Sequence, residues 1–258
     1  MSEIVRTVKK KDVITSALHI VFNLAVAGAS LGLLLLFPDT PWPAIALVVV
    51  SKWRIFAVKP RFWVPNLLSN LTDFILCASL VILTWQAGGI LWFQIVLTAL
   101  YAIWLIFLKP LTKPVPGLIQ AGLSQFIGLT ALFSVSEYLP LPVLLVIAFG
   151  IGFAVARHIL MLHEEKQYTL MALVWGVLVC EMSFIAYHWL IVYQIGVVAI
   201  PEIAVIMAIF ALLAERYYTS FRKNDEQIKQ SDVAVPTLFG VALLAVLLIF
   251  FSGLFTAI

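Results

Sequence analysis

Charge is what this chain has least of. Asp, Glu, Lys and Arg make up 11% of its 258 residues, against about a quarter in an ordinary soluble domain. Its longest polar stretch, Glu215 to Asp232, is too short to build a core of its own. Those two shortages exclude a soluble globular protein. Cysteine is nearly missing too. Cys77 and Cys180 both fall inside apolar runs, which excludes a disulfide framework and makes them small buried apolar side chains. No P-loop, dinucleotide fingerprint, nucleophile elbow or multi-histidine oxygenase pattern occurs. No cofactor and no nucleic-acid partner is therefore expected.

What the chain has in quantity is apolar sequence, 63% of it hydrophobic. Several runs exceed the length of about 18 residues needed to cross a bilayer. The expectation is an all-α, polytopic integral membrane helical bundle, a single transmembrane domain over 1–258. Nine apolar segments lie near 12–37, 43–58, 65–87, 89–108, 116–136, 141–162, 168–191, 197–215 and 235–257. Pro43, Pro65, Pro116, Pro142 and Pro236 stand at the heads of five of them, where a missing N–H costs nothing. The first run continues to Phe37, too long for a signal h-region and right for an anchor.

The second segment is short, and charge distribution decides its reading. With nine crossings and the N-terminus inside, all sixteen Lys and Arg residues fall on the cytoplasmic side. If the second segment turned back, the clusters at 6–11 and 52–61 would lie on opposite sides, against the positive-inside rule. The sequence thus predicts N-in/C-out topology, with Lys52 and Arg54 snorkelling to the inner headgroups. Trp53 and Trp63 anchor the stretch SKWRIFAVKPRFW (51–63) at the interface.

A duplication is also legible. PWP (41–43) and PLP (140–142) open two segments, and FAVKPR (56–61) and FAVARH (153–158) close the same two. The repeats would cover 12–108 and 116–215, with 235–257 an extra helix. Transporters are often built from such repeats.

Ionisable and amide side chains inside the membrane suggest function by default. Asp12, Ser16, His19 and Asn23 share one helical face, and so do Asn66, Asn70, Asp73 and Cys77. Lys52 and Arg54 stand at the same depth, and Asp73 is a partner for either. The functional reading is a polar cavity open to the cytoplasm; the alternative is hydrogen bonding that merely holds helices together. Glu181 lies near mid-span with His188 seven residues on, a proton-accepting carboxylate or else a static partner for Gln120 or Gln125. Asp39, Glu137 and Glu202 read as solvated turn charges. His158 and His163 are five apart, which puts them on different faces, so no metal site is expected. Gly28-x-x-x-Gly32 and Gly150/Gly152 mark close helix packing.

SKWRIFAVKPRFW, LTDFI, FLKP and ARH…HEE…W together resemble a family of polytopic membrane proteins from small-genome candidate-phyla bacteria of the Saccharibacteria type. The resemblance implies a bacterial cytoplasmic membrane. It brings no activity and no catalytic residues.

Three classes stay open. The first is a carrier for a small solute or an anionic lipid, using Asp73, Glu181, His19, Asn23, Asn70 and His188. Its basic rim of Lys52, Arg54, Lys59, Arg61, Lys109, Lys113 and Arg157 would hold a headgroup or phosphate. The second is an accessory subunit whose partner is a second copy or another membrane protein. The third, an enzyme acting on a lipid-linked substrate, is least favoured and has Asp73 with His19 as its acid–base pair.

Overall fold

The protein is described by a computed structural model that covers residues 2–108, 114–195 and 198–250. Lys109, Lys113 and the end of the ninth segment lie outside the described residues, as do the side chains of residues 2–17 and of Arg54. The protein is helical, 82% helix and 3% strand. It divides into two compact units, Met1–Gln120 and Ala121–Ile258.

The first unit holds α1 (Ser2–Leu36), α2 (Trp42–Ser51), α3 (Trp63–Ser69), α4 (Leu71–Gln86) and α5 (Leu91–Ile103), the last running into a π-helical turn at Trp104–Leu108. α1 packs on α2, α4 and α5. Val26, Ala44, Val48, Leu76, Leu80, Leu97 and Tyr101 form the buried seam. The second segment gives a helix of only ten residues, about 15 Å long against a hydrocarbon core of about 30 Å. It ends where Lys52 begins to turn inward, and 3-10 turns at Trp53–Ile55 and Pro60–Phe62 follow. The Trp63 indole N–H fastens this stretch, donating to the carbonyls of Phe56 (3.1 Å) and Val58 (3.0 Å).

The third segment is broken. α3 and α4 meet at 64°, with Asn70 at the corner. The Asn70 side-chain amide donates to the Asn66 carbonyl at 2.9 Å, a local bond that competes with the helical ladder. Its own carbonyl already accepts from the Phe74 N–H and so starts the next helix. Asn66, Asn70, Asp73 and Cys77 therefore do not share one continuous face as their spacing predicts. They sit on both arms of a bend.

The second unit contains most of α6 (Pro114–Ser134), then α7 (Leu141–Leu162), α8 (Tyr168–His188), a hairpin of β1 (Val192–Ile195) and β2 (Val198–Pro201), α9 (Glu202–Lys223) and α10 (Gln230–Phe250). The hairpin pairs Val192 with Pro201 and Ile195 with Val198, and β2 displaces the expected start of α9 to Glu202. α7 and α8 form a close pair. A Cβ at Gly152 would lie 2.7 Å from Val179 Cγ2, and one at Gly176 would lie 3.1 Å from the Phe149 carbonyl oxygen. α10 begins at Gln230, so Pro236 lies inside it rather than at its head.

Among the described residues, six helices are long and apolar enough to cross a membrane: Leu18–Leu36, Pro116–Ser134, Leu141–Leu162, Tyr168–His188, Glu202–Lys223 and Gln230–Leu247. The bent pair Pro60–Ser69 and Leu71–Gln86 makes a seventh if it counts as one span. Several long apolar helices make this a membrane-embedded, multi-pass protein.

Candidate functional site

The polar side chains of the first unit gather around one buried ion pair. Lys52 is 6% exposed and Asp73 4% exposed, and the Lys52 ammonium donates directly to Asp73 Oδ2. Lys52 also reaches the Cys77 Sγ at 3.4 Å, and the Cys77 thiol lies 3.5 Å from Asp73 Oδ1. The Trp104 indole N–H donates to Asp73 Oδ1 at 2.9 Å. Two charges taken out of water need this many partners, because their mutual attraction alone barely offsets lost hydration. Lys52 was expected to snorkel to headgroups. Its ammonium instead turns inward, since a carboxylate on α4 stands within reach.

The π-helical turn explains how Trp104 arrives there. It widens the helix by one residue, a device frequent at functional sites, and the Leu105 carbonyl lies on this turn. Asn23 of α1 meets it, its amide donating to Leu105 O at 3.2 Å and to His19 Nδ1 at 3.0 Å.

A cleft of about 560 Å³ lies beside the pair, lined by His19, Asn23, Ser51, Lys52, Asn66 and Asn70, with Phe22, Trp53 and Ile55 as its apolar part. It is within the size range of small-molecule sites. Lys52 therefore has two faces, one toward Asp73 and one toward the cleft. Asp73 itself is not on the cleft wall. Asn23 spends both N–H groups of its amide on the Leu105 carbonyl and His19, and Asn70 spends one on the Asn66 carbonyl, which leaves Asn70 a donor as well as an acceptor.

No protein-family model, no curated protein and no solved structure matches the chain. The chemistry of the residues is thus the ground for assigning a role.

The other expected site residues have surroundings of their own. Lys59 and Arg61 are exposed on the turn after α2, with the Arg61 guanidinium 4.6 Å above the Phe62 ring. Arg157 belongs to the second unit, is buried, and lies 5.4 Å over the Tyr168 ring. Glu181 is exposed on α8 and has no hydrogen bond or ion pair among the described residues. The His188 ring lies tilted against the Phe184 ring, 4.7 Å between centroids. Gln125, which was weighed as a partner for Glu181, is fully buried elsewhere: it donates to the Met207 carbonyl at 2.9 Å and accepts from the Trp175 indole at 3.1 Å. Among the described residues no three His, Cys, Asp or Glu side chains stand close enough to hold a metal. The sequence reading missed Trp104, an aromatic residue in an apolar run whose spacing does not separate it from core.

Proposed function

We propose that this protein is a multi-pass membrane carrier for a small anionic solute or an anionic lipid headgroup, with the cleft of α1, α2 and α3 as its site. One observation carries the reading: Lys52 lines the cleft and at the same time holds buried Asp73. A carboxylate or phosphate entering the cleft comes beside the lysine whose ammonium Asp73 already binds. Occupancy of the cleft and the fastening of α2 to α4 are then linked, which is the differential interaction a ligand needs to shift a conformational equilibrium. Asn66 and Asn70 at the bend supply polar contacts to the rest of the solute.

The test is thermal stabilisation of the purified protein by inorganic phosphate, short-chain carboxylates and phosphatidylglycerol. Stabilisation of the wild type that Asn66→Ala/Asn70→Ala loses supports the site. No stabilisation by any of them, or an equal gain in the variant, removes it.

In this reading the chain crosses a bacterial cytoplasmic membrane nine times, N-terminus in and C-terminus out. The support is that all sixteen basic residues then lie on one side. A C-terminal reporter active only in the cytoplasm is expected to be silent. A bright reporter would place the error at α2.

A second reading, a subunit of a membrane assembly, rests on Glu181. An unpaired carboxylate near mid-span on an outward face of α8 is costly in lipid and is satisfied by a neighbouring protein. A photo-crosslinker at position 181 that captures protein supports this reading, and one that captures only lipid opposes it.

A further inference from the structure

The second unit contains a site of different chemistry. Between α7, α8 and α9 lies a slot of about 160 Å³ whose wall is mostly apolar, with Val155, Ile159, Leu160, Trp175 and Ala211, and carries one carboxylate, Glu215. A slot so lined accepts an apolar guest along most of its length. Met171 and Tyr218 close its end, and the same two residues line a second, larger space of about 630 Å³. There the lining changes to Glu164, Lys166, Arg222 and Glu226. The junction is firm, because the Tyr218 hydroxyl donates to Glu165 Oε2 at 2.5 Å and the His163 ring meets the Tyr218 ring edge-on at 5.2 Å. Glu165 is thereby committed to joining the α7–α8 turn to α9. Glu164 and Glu226 are exposed, as are Lys166 and Arg222, and none of the four forms an ion pair with another among the described residues.

The place matters as much as the composition. The turn after α7 and the end of α9 are the ends of helices long enough to span a bilayer. That is the depth at which headgroups lie. A narrow, mostly apolar slot that shares Met171 and Tyr218 with a charged basin suits a molecule with an apolar chain and a polar head. The basin offers two cations and two uncommitted carboxylates, so the complementary head carries both signs.

We propose that this end of the second unit binds a zwitterionic phospholipid bearing a primary amine. One acyl chain fills the slot, the phosphate meets Lys166 and Arg222, and the ammonium meets Glu164 and Glu226. The amine is specified because charge-assisted hydrogen bonds to carboxylates need N–H donors, which a choline head lacks. An anionic glycerol head leaves both carboxylates without a cation. The site is independent of the solute cleft and stands whether or not that cleft carries a solute.

The experiment is native mass spectrometry of the full chain in mild detergent with equal amounts of phosphatidylethanolamine, phosphatidylcholine and phosphatidylglycerol of identical chains. The expected result is a stoichiometric ethanolamine-lipid adduct, favoured over the other two by about tenfold. Ala211→Trp, which fills the slot, is expected to lose it. Glu164→Gln/Glu226→Gln changes exposed side chains only, so it reads the headgroup without touching the fold, and it is expected to erase the preference over phosphatidylcholine. Equal binding of the three lipids, no adduct at all, or an undiminished preference in the double Gln variant overturns the proposal.

Discussion

Replacing Asp73 measures how much of the first unit depends on one ion pair. Asp73→Asn keeps an acceptor for the Trp104 indole and removes the charge. The Lys52 ammonium, 6% exposed, is then buried without its counter-ion. Breaking a buried pair from one side costs about 3–5 kcal/mol. Asp73→Ala also strips Trp104 of its acceptor, adding about 1–3 kcal/mol for an unsatisfied buried donor. Removing both charges is a different matter. Lys52→Met/Asp73→Leu replaces the pair with apolar groups, a change that is commonly neutral or stabilising by about 1–4 kcal/mol. The assay is reversible unfolding in mixed bicelles, read for wild type, both singles and the double variant as a thermodynamic cycle. The expected order places Asp73→Ala lowest, Asp73→Asn next, and the double variant above both, its gain from removing the charges offset by about 1–3 kcal/mol for the Trp104 indole that Leu leaves without an acceptor. An Asp73→Asn protein within about 0.5 kcal/mol of wild type, the range of an ordinary surface substitution, would refute burial of the pair. A double variant as unstable as the singles would show that the loss is packing and not stranded charge.

Gly176→Ala is expected to destabilise by about 1–3 kcal/mol, the usual cost of overpacking, because its new Cβ meets a backbone oxygen at 3.1 Å. Gly150→Ala, which meets nothing within 4 Å, is the control and is expected to be neutral or slightly stabilising in the same unfolding assay. Gln125→Leu leaves the Trp175 indole without its acceptor and should cost about 1–3 kcal/mol, seen as a lower unfolding midpoint. The Glu165 carboxyl is held below the usual carboxylate range, first by the Tyr218 phenol and then by backbone N–H groups. Its contribution to stability is therefore present above the ordinary Glu range and is lost as pH falls through the lowered folded value. Tyr218→Phe is expected to move the Glu165 titration up toward that of a free Glu side chain, followed by the carboxyl carbon shift in a labelled sample. An unmoved titration would mean that the phenol is not the cause.

Helix identity was legible because apolar length is a strong signal, and all nine apolar segments contain helix. The pairing of Asp73 with a cation near 52–54 was legible too, since two opposite charges at one depth in an apolar chain have few other solutions. The corner at Asn70 was not. Asn66 and Asn70 have perfect helical spacing, and only the side-chain bond to the Asn66 carbonyl turns that spacing into a bend. Lys52 misled for a related reason: a basic residue at the end of an apolar run reads as an interfacial anchor unless the carboxylate it will meet is already placed in space. The β-hairpin leaves a readable trace, Val-Tyr-Gln-Ile and Val-Ala-Ile-Pro on either side of Gly196, but the 197–215 apolar segment takes in its second strand and leaves the first as a connection. FAVKPR and FAVARH look alike in sequence and differ in backbone. The first lies across 3-10 turns and the second within α7.

The Lys52–Asp73 contact also bears on how the chain enters a membrane while it is being made. A buried ammonium without a counter-ion is costly within a membrane, and α2 supplies only ten residues of helix to offset it. Its partner emerges 21 residues later. α2 is thus a poor candidate for release into lipid by itself. In the nine-crossing reading, α2 is expected to insert only together with α4, whose Asp73 neutralises Lys52.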